Sequence, residues 1–193
     1  MKGKRRLIAV MLTLCVTLVP LHVDAKRYHT VGIGANGDAD APSFTLELGK
    51  KDLSWLGGNW LLAGGLTTIY HGDGNVPEET IGSRAPHSDV TAQGDRDDGT
   101  EPGLYLKVGR QIPAKRVYVT ALVGSSLVER VELVRSNPTQ VYYAQSTDQA
   151  FELLLGVGLS WFPKPFFDWE LKMNFQAGYD IRRGVTVDVG WCW

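Results

Sequence analysis

Alternation of apolar and polar residues predicts β-strands over most of the chain. Side chains of a strand point to its two faces in turn, so an alternating segment has one apolar face. In FDWELKMNFQAGY, from Phe167 to Tyr179, large apolar residues occupy almost every second position. Eight segments alternate in this way, at 27–36, 43–51, 58–71, 102–112, 116–130, 147–162, 166–180 and 183–193. We therefore predict an all-β, antiparallel fold.

The apolar faces of the last three segments also predict how these strands pair. Pairing Trp161 with Phe167 across the FPKPF turn keeps apolar residues beside apolar residues. Pairing Tyr179 with Val185 does the same for the final hairpin. Register is strongly specified by such faces, because a shift of one residue moves every side chain to the other face.

Alternation alone leaves open which face lies inside. A soluble sandwich or a lipocalin-like barrel would bury the apolar face. Two observations favour the inverse arrangement. The other face mixes charged residues with glycines, which is typical of the crowded interior of a narrow barrel. The connections also alternate in length: they are short near 52–57, 113–115 and 163–165, long near 72–101 and 131–146, and modest at 37–42 and 181–182.

The tryptophans provide a third observation in favour of an outward apolar face. Tryptophan is enriched where a membrane meets water, so a ring of tryptophans marks such an interface. All six map to the end of the short connections, and we predict that they form an interfacial aromatic ring: Trp55, Trp60, Trp161, Trp169, Trp191 and Trp193.

The N-terminal residues are typical of a secretory signal peptide. A basic start, MKGKRR, precedes an apolar run and small residues that end at Ala25. We expect 1–25 to be removed and 26–193 to form one barrel domain. Removal takes four of 20 basic and one of 21 acidic residues and leaves a net charge of −4, with no basic run that points to nucleic acid. Cys192 is then the only cysteine, which excludes an internal disulfide.

The final segment, GVTVDVGWCW, resembles the C-terminal sorting signal of outer-membrane β-barrels, which the barrel-insertion machinery reads. The whole of 26–193 resembles the small eight-stranded OmpA/OmpX-type barrels in length and pattern. The resemblance implies an up-and-down transmembrane barrel with periplasmic termini in the outer membrane of a Gram-negative bacterium. It also implies outer-membrane lipid and lipopolysaccharide as surroundings. Members of this group include anchors, adhesion and defence proteins, narrow pores and some lipid-modifying enzymes, so the fold does not fix an activity.

The long segment near 72–101 holds the candidate chemistry. His71, His87 and Ser88 are weak catalytic candidates, because a serine nucleophile needs a base and an orienting carboxylate within hydrogen-bond reach. Their spacing is not distinctive, and a solvated polar loop is the favoured interpretation. The same segment also contains four acidic residues close together: Asp95, Asp97, Asp98 and Glu101. Their spacing matches no calcium motif, so we predict no metal site and no cofactor.

The inward face predicts a lumen filled by side chains, since eight strands leave little more room than that. Lys107 and Lys172 are expected to contact the inward carboxylates, because buried charges must be paired. The predicted lumen network comprises Glu47, Lys107, Glu152, Glu170, Lys172 and Asp188.

These features favour an outer-membrane protein with a structural or surface-interaction role and no enzymatic activity. A surface ligand would bind through the long connections, where 126–145 resembles two strands joined by a turn at Ser136, Asn137 and Pro138. The alternatives are a lipid-modifying deacylase or acyltransferase, and a narrow pore for small solutes.

Overall fold

The computed structural model describes residues 26–35, 37–55, 58–72, 88–113, 115–164 and 172–192, and the observations below concern these residues. The predicted signal peptide, 1–25, lies outside them. The strands are β1 (Lys26–Ala35), β2 (Ser43–Trp55), β3 (Gly58–Gly72), β4 (Val90–Gln111), β5 (Val117–Ser136), β6 (Tyr142–Trp161), β7 (Lys172–Asp180) and β8 (Gly184–Cys192). Each strand pairs with the next in antiparallel fashion, and β1 pairs with β8. The predicted all-β, eight-stranded up-and-down barrel is therefore confirmed.

The apolar face of the strands lies on the outside of the barrel, as predicted. Large apolar residues of the outer wall are more than half exposed, among them Ile33, Phe44, Leu66, Val157 and Val187. The inner wall is buried and largely polar, as at Thr30, Glu47, Tyr105 and Asn174, with some larger apolar residues such as Leu154. No helix within these ranges is long and apolar enough to span a membrane.

The two ends of the barrel differ. One end, here the terminal end, carries the first residue of β1, the last residue of β8 and the connections 56–57, 112–116 and 162–171. The other, the loop end, carries the connections 36–42, 73–89, 137–141 and 181–183.

Three strands continue well past the others at the loop end. β4 from 90 to 98, β5 from 129 to 136 and β6 from 142 to 149 pair with one another and form a three-stranded extension. The long connection predicted at 131–146 is therefore wrong, because most of it is strand, whereas the turn predicted at 136–138 is found at 137–139. The strands on either side of this turn agree with the interpretation of 126–145 as two strands, although charged residues interrupt the alternation there.

The two C-terminal hairpins differ in how well their register was predicted. Tyr179 pairs with Val185, as expected. Trp161, however, pairs with Phe175 rather than with Phe167, so the predicted β6–β7 register is wrong by eight residues. An even shift keeps every side chain on its face. The apolar pattern therefore could not distinguish the two registers.

Candidate functional site: a charge-paired lumen

A buried carboxylate organises the middle of the lumen. Glu47 of β2 is fully buried and accepts hydrogen bonds from the hydroxyl groups of Tyr28 at 3.0 Å and Tyr105 at 2.9 Å. Gln176 donates to the same carboxylate at 3.0 Å, and the Lys107 ammonium lies 2.5 Å from it. Lys107 also donates to Gln176 at 2.7 Å. These residues form the central layer, in which the buried charges are paired and hydrogen-bonded, as a low-dielectric interior requires.

Glycines opposite the tyrosines make this central layer fit. A Cβ at Gly65 would lie 2.2 Å from Cζ of Tyr105, and one at Gly49 would lie 2.6 Å from the ring of Tyr28. Similarly, a Cβ at Gly32 would lie 1.7 Å from Oδ1 of Asp188. Each large inward side chain therefore occupies the space of a side chain that the neighbouring strand lacks.

A second cluster, the loop-end layer, surrounds the buried carboxylate of Glu101. Nε2 of His71 lies 2.7 Å from Oε2 of Glu101, and Ser126 donates to its other oxygen. Arg182 donates to both oxygens, from Nε at 2.9 Å and from Nη2 at 2.6 Å. Nη2 of Arg182 also lies 2.5 Å from Oδ2 of Asp97. This two-point contact between guanidinium and carboxylate is the strong form of an ion pair.

The turn between β7 and β8 positions the arginines. Oδ1 of Asp180 accepts from the backbone N–H groups of Arg182 at 2.9 Å and Arg183 at 2.8 Å. Arg183 then reaches inward, where it donates to Oγ1 of Thr45 at 2.9 Å and lies 4.9 Å from the ring of Tyr105. Gly184, which ends the turn, has a φ of 74° that favours glycine. Burial alone would lower the pKa of Arg182, but hydrogen bonds to Glu101 and Asp97 raise it above its ordinary value, so this side chain stays charged.

Arg130 connects the loop-end layer to the extension. Its Nε lies 3.3 Å from Oδ1 of Asp97, and its Nη2 donates to Glu152 of the neighbouring strand. The Arg130 side chain is 42% exposed, so solvent screens these contacts and they contribute less than the buried ones.

Aromatic rings close the terminal end. Phe162 packs edge-on against Tyr28 and Tyr118, with ring centroids 5.3 and 5.6 Å apart. The Tyr118 hydroxyl donates to Asp52 at 2.6 Å, and Lys51 donates to the same carboxylate at 2.9 Å. We call this the terminal layer. One cavity of about 20 Å³ is lined in part by Lys107, Gln176 and Asp188 of the central part of the barrel, and it has room for about one water molecule.

The structure brings together some of the predicted lumen residues and not others. Glu47, Lys107 and Asp188 are buried in the barrel, and Glu152 is half-buried beside Arg130. Lys172 shares the inward parity of the buried Asn174 and Gln176, but it is exposed at the mouth of the barrel. It pairs with Cys192 at the last rung of the barrel and makes no ion pair within the described residues. Glu170 lies outside those residues.

Sequence reasoning missed the cations and the carboxylate of the loop-end layer. Glu101 was assigned to the long connection near 72–101, Arg182 to the modest connection at 181–182, and Arg183 to the first position of the strand 183–193. Alternate residues of a strand share a face, so Glu101 lies on the same inward face as Gly103 and Tyr105. This pattern was the signal that could have placed Glu101 in the lumen. The arginines carry no such signal, because turn geometry rather than strand parity directs them inward.

The catalytic candidates do not converge. His71 is buried with its Nε2 on Glu101, whereas Ser88 is exposed two residues before β4. Tyr70, the residue before His71, pairs with Thr100 of β4, so His71 lies close to Thr100 along the barrel axis. At about 3.3 Å per residue, roughly 30 Å of β4 separates that position from Ser88. His87 lies outside the described residues.

Two of the candidate cation ligands meet in the loop-end layer. Asp97 and Glu101 place carboxylate oxygens within 4.8 Å of a nitrogen of His71, but Arg182 donates to both carboxylates. A positive charge is thus already present where an ion would bind. Asp95 is exposed on the extension.

The tryptophans of the described residues lie at the terminal end. Trp60 pairs with Arg110 on β4, and Trp161 and Trp191 are 45% and 42% exposed on the outer wall. Trp55 ends β2, while Trp169 and Trp193 lie outside the described residues.

Comparisons with known proteins give a fold likeness only. No protein-family model matches the chain, and no curated protein matches it. Among solved structures, it is similar to Ail, the attachment invasion locus protein of Yersinia pestis, with a TM-score of 0.42 and 11% identity over 87% of this chain and 93% of that chain. A structure of Ail in complex with the heparin analogue sucrose octasulfate gives a TM-score of 0.37 and 11% identity over 87% of this chain and 92% of that one. The fold assignment here rests on the strand pairing itself.

Proposed function

We propose that this chain is an integral outer-membrane β-barrel protein with a side-chain-filled lumen and a structural or surface-interaction role. One observation carries the proposal: a closed barrel exposes an apolar outer wall and buries charged residues such as Glu47, Lys107 and Asp188 inside. Soluble proteins rarely expose a large contiguous apolar surface. A closed barrel in lipid, by contrast, satisfies its backbone hydrogen bonds internally and needs an apolar exterior.

The cell envelope of a Gram-negative bacterium fits this surface. The proposed signal peptide, 1–25, would direct the chain across the inner membrane. The even number of strands puts both ends of the barrel domain on one side, which we assign to the periplasm. The longer connections and the extension would then face outward, among lipopolysaccharide.

The extension is the part of the molecule that we propose for surface interaction. It continues past the last β6–β7 pair, which joins Gly156 to Asp180, and past the last β3–β4 pair, which joins Gly72 to Gly99. It carries charged residues on all three strands, as at Asp95, Glu129 and Asp148. A segment of this kind is suited to water and to a partner's surface rather than to lipid.

The barrel-insertion machinery is the proposed assembly partner. Trp193 carries the resemblance to the sorting signal that this machinery reads. We expect Trp193→Asp to lower the amount of folded protein in the membrane far more than Ser88→Ala does. Quantitative immunoblots of outer-membrane fractions test this expectation, and equal membrane levels of the two variants would contradict it.

Gel mobility and cell fractionation test the proposed function. Closed barrels extracted in mild detergent should migrate differently on a gel before and after boiling, because no strand edge is left to open. The protein should be recovered in the outer-membrane fraction, with a mature N-terminus at Lys26. Recovery from the soluble periplasm with unchanged mobility would overturn the proposal.

A further inference from the structure

Basic residues gather at the terminal end of the barrel, although they come from separate parts of the sequence. The described residues of 26–29, 50–60, 109–118, 159–164, 172–175 and 190–192 contain a single acidic residue, Asp52. They contain nine basic ones: Lys26, Arg27, Lys50, Lys51, Arg110, Lys115, Arg116, Lys164 and Lys172. We call this set the basic rim. No run of the sequence reveals it, because no segment contributes more than two or three of its members.

The single acidic residue leaves most of this charge unbalanced. Asp52 is bound by Lys51 at 2.9 Å and Tyr118 at 2.6 Å, with Lys26 at 3.8 Å. Six other members are exposed and form no ion pair within the described residues: Arg27, Arg110, Lys115, Arg116, Lys164 and Lys172. The sequence adds Asp168 and Glu170 nearby, which still leaves nine basic against three acidic residues.

The loop end has the opposite charge, so the basic rim does not reflect the composition of the whole chain. The described residues of 37–43, 88–101, 126–152 and 180–184 contain twelve acidic residues and five arginines. The formal net charge of the entire sequence is only −1. The charges are thus separated along the barrel axis.

The basic rim lies beside the outward tryptophans. The guanidinium carbon of Arg110 is 5.7 Å from the Trp60 ring, and the rings of His29 and Trp191 are 3.8 Å apart. Trp161 lies on β6 directly before the connection that holds Lys164. Tryptophan rings sit at the head-group level of a bilayer, and lysine and arginine extend from there toward the phosphates.

We propose that the basic rim binds the anionic head groups of phospholipids of the phosphatidylglycerol type. This inference rests on the proposed membrane function and adds a lipid preference to it. The cations are distributed around the barrel mouth and do not line one cleft. Such an arrangement suits several separate phosphodiester groups of an annular lipid layer better than one large polyanion. It also favours one orientation, with the terminal end at the leaflet that contains these lipids.

Lipid selectivity measured by electron spin resonance tests the inference. The wild type and K115Q/R116Q are refolded into phosphatidylcholine vesicles, and spin-labelled phosphatidylglycerol and phosphatidylcholine are compared at the protein boundary. The wild type should prefer phosphatidylglycerol. The preference should fall about threefold or more in K115Q/R116Q, since each basic residue near a charged surface adds up to about fivefold. Raising the salt concentration should weaken the wild-type preference.

A matched control places the same charge change at the other end. R96Q/R135Q removes two arginines from the extension and should leave the preference unchanged. An equal fall in both double variants, or no fall in K115Q/R116Q, would overturn the inference. If K115Q/R116Q fails to fold, the K164Q variant and the salt series test the inference instead. A phosphatidylglycerol preference that is changed by neither K164Q nor salt would also overturn the inference. Failure of the wild type to insert into any vesicle, judged by gel mobility, would instead overturn the proposed membrane function.

Discussion

At the scale of single residues, Glu47 shows how a narrow lumen accommodates charge. Two tyrosine hydroxyls, one amide and one ammonium surround its carboxylate. Replacing such a pair with apolar groups of similar volume is often nearly neutral, whereas removing one partner leaves a lone buried charge. The arrangement therefore makes the two members of the Glu47–Lys107 pair depend strongly on each other.

A double-mutant cycle measures this dependence. We expect Glu47→Leu and Lys107→Met each to lower the free energy of unfolding by about 3 kcal/mol or more, because the remaining charge lies in a low-dielectric interior. The double variant should lose clearly less than the sum of the two. Urea unfolding of the folded barrel in lipid provides the measurement. Lys115→Met, at an exposed position, is the control and should change stability by less than about 0.5 kcal/mol. Additive losses in the cycle would show that the two charges are independently hydrated.

Gly65 provides a second residue-scale prediction. A Cβ at this position would collide with the Tyr105 ring at 2.2 Å, so Gly65→Ala must displace the ring from Glu47. We expect a loss of about 1–3 kcal/mol, the usual cost of overpacking a core. Gly58→Ala is the matched control on the same strand, since its Cβ would meet its nearest neighbour at 3.5 Å. Equal urea midpoints for the two variants would contradict this account.

At the scale of strands, the extension differs from the barrel in its composition and in its contacts. The described side-chain links from its strands into the lumen run through Asp97 and Arg130. Beyond them, backbone pairing between β4, β5 and β6 continues without a closed barrel around it.

Shortening the β5–β6 hairpin tests this separation. Glu132 pairs with Ser146, so an Asn-Gly turn between them can replace residues 133–145. We expect the truncated protein to retain its heat-dependent gel mobility, because the lumen layers keep all their contacts. Its unfolding free energy should fall, since the buried Leu133 and Val134 are removed. The control replaces Asn137-Pro138 with Asn-Gly at full length. Loss of the folded band in the truncated protein alone would show that the extension supports the barrel.

The strands also show what the sequence could and could not predict. Parity along each strand was enough to predict eight strands and their apolar faces. The outward direction of these faces also needed the inward glycines, the connection lengths and the tryptophans, and the closed barrel came from the resemblance. Parity is unchanged by an even shift, which is why Trp161 was paired eight residues away from its partner Phe175. Parity is also a weak guide in the extension, where charged residues interrupt the alternation although Val131, Leu133 and Val134 of β5 are buried. Arg182 enters the lumen from a turn, and the basic rim collects distant segments, so neither was visible in local patterns.

At the scale of the whole molecule, three layers block the path through the barrel. Phe162 fills the terminal layer between Tyr28 and Tyr118, Lys107 and Glu47 bridge the central layer, and Arg182 and Glu101 bridge the loop-end layer. These contacts join strands on different sides of the wall. We infer that these contacts, among the described residues, stabilise the barrel as a core would.

Such a lumen should not conduct ions steadily. We expect no stable large conductance from the wild type in planar bilayers, because the three layers cross the lumen of the described barrel. Phe162→Ala should behave in the same way, since the central and loop-end layers still block the path after the terminal layer is opened. Insertion must be verified separately by heat-dependent gel mobility, so that a closed barrel that carries no current is distinguished from a protein that has not inserted. Steady current from the inserted wild type would show a hydrated channel. Steady current from Phe162→Ala alone would show that the terminal layer is the whole barrier, which would contradict the three-layer account.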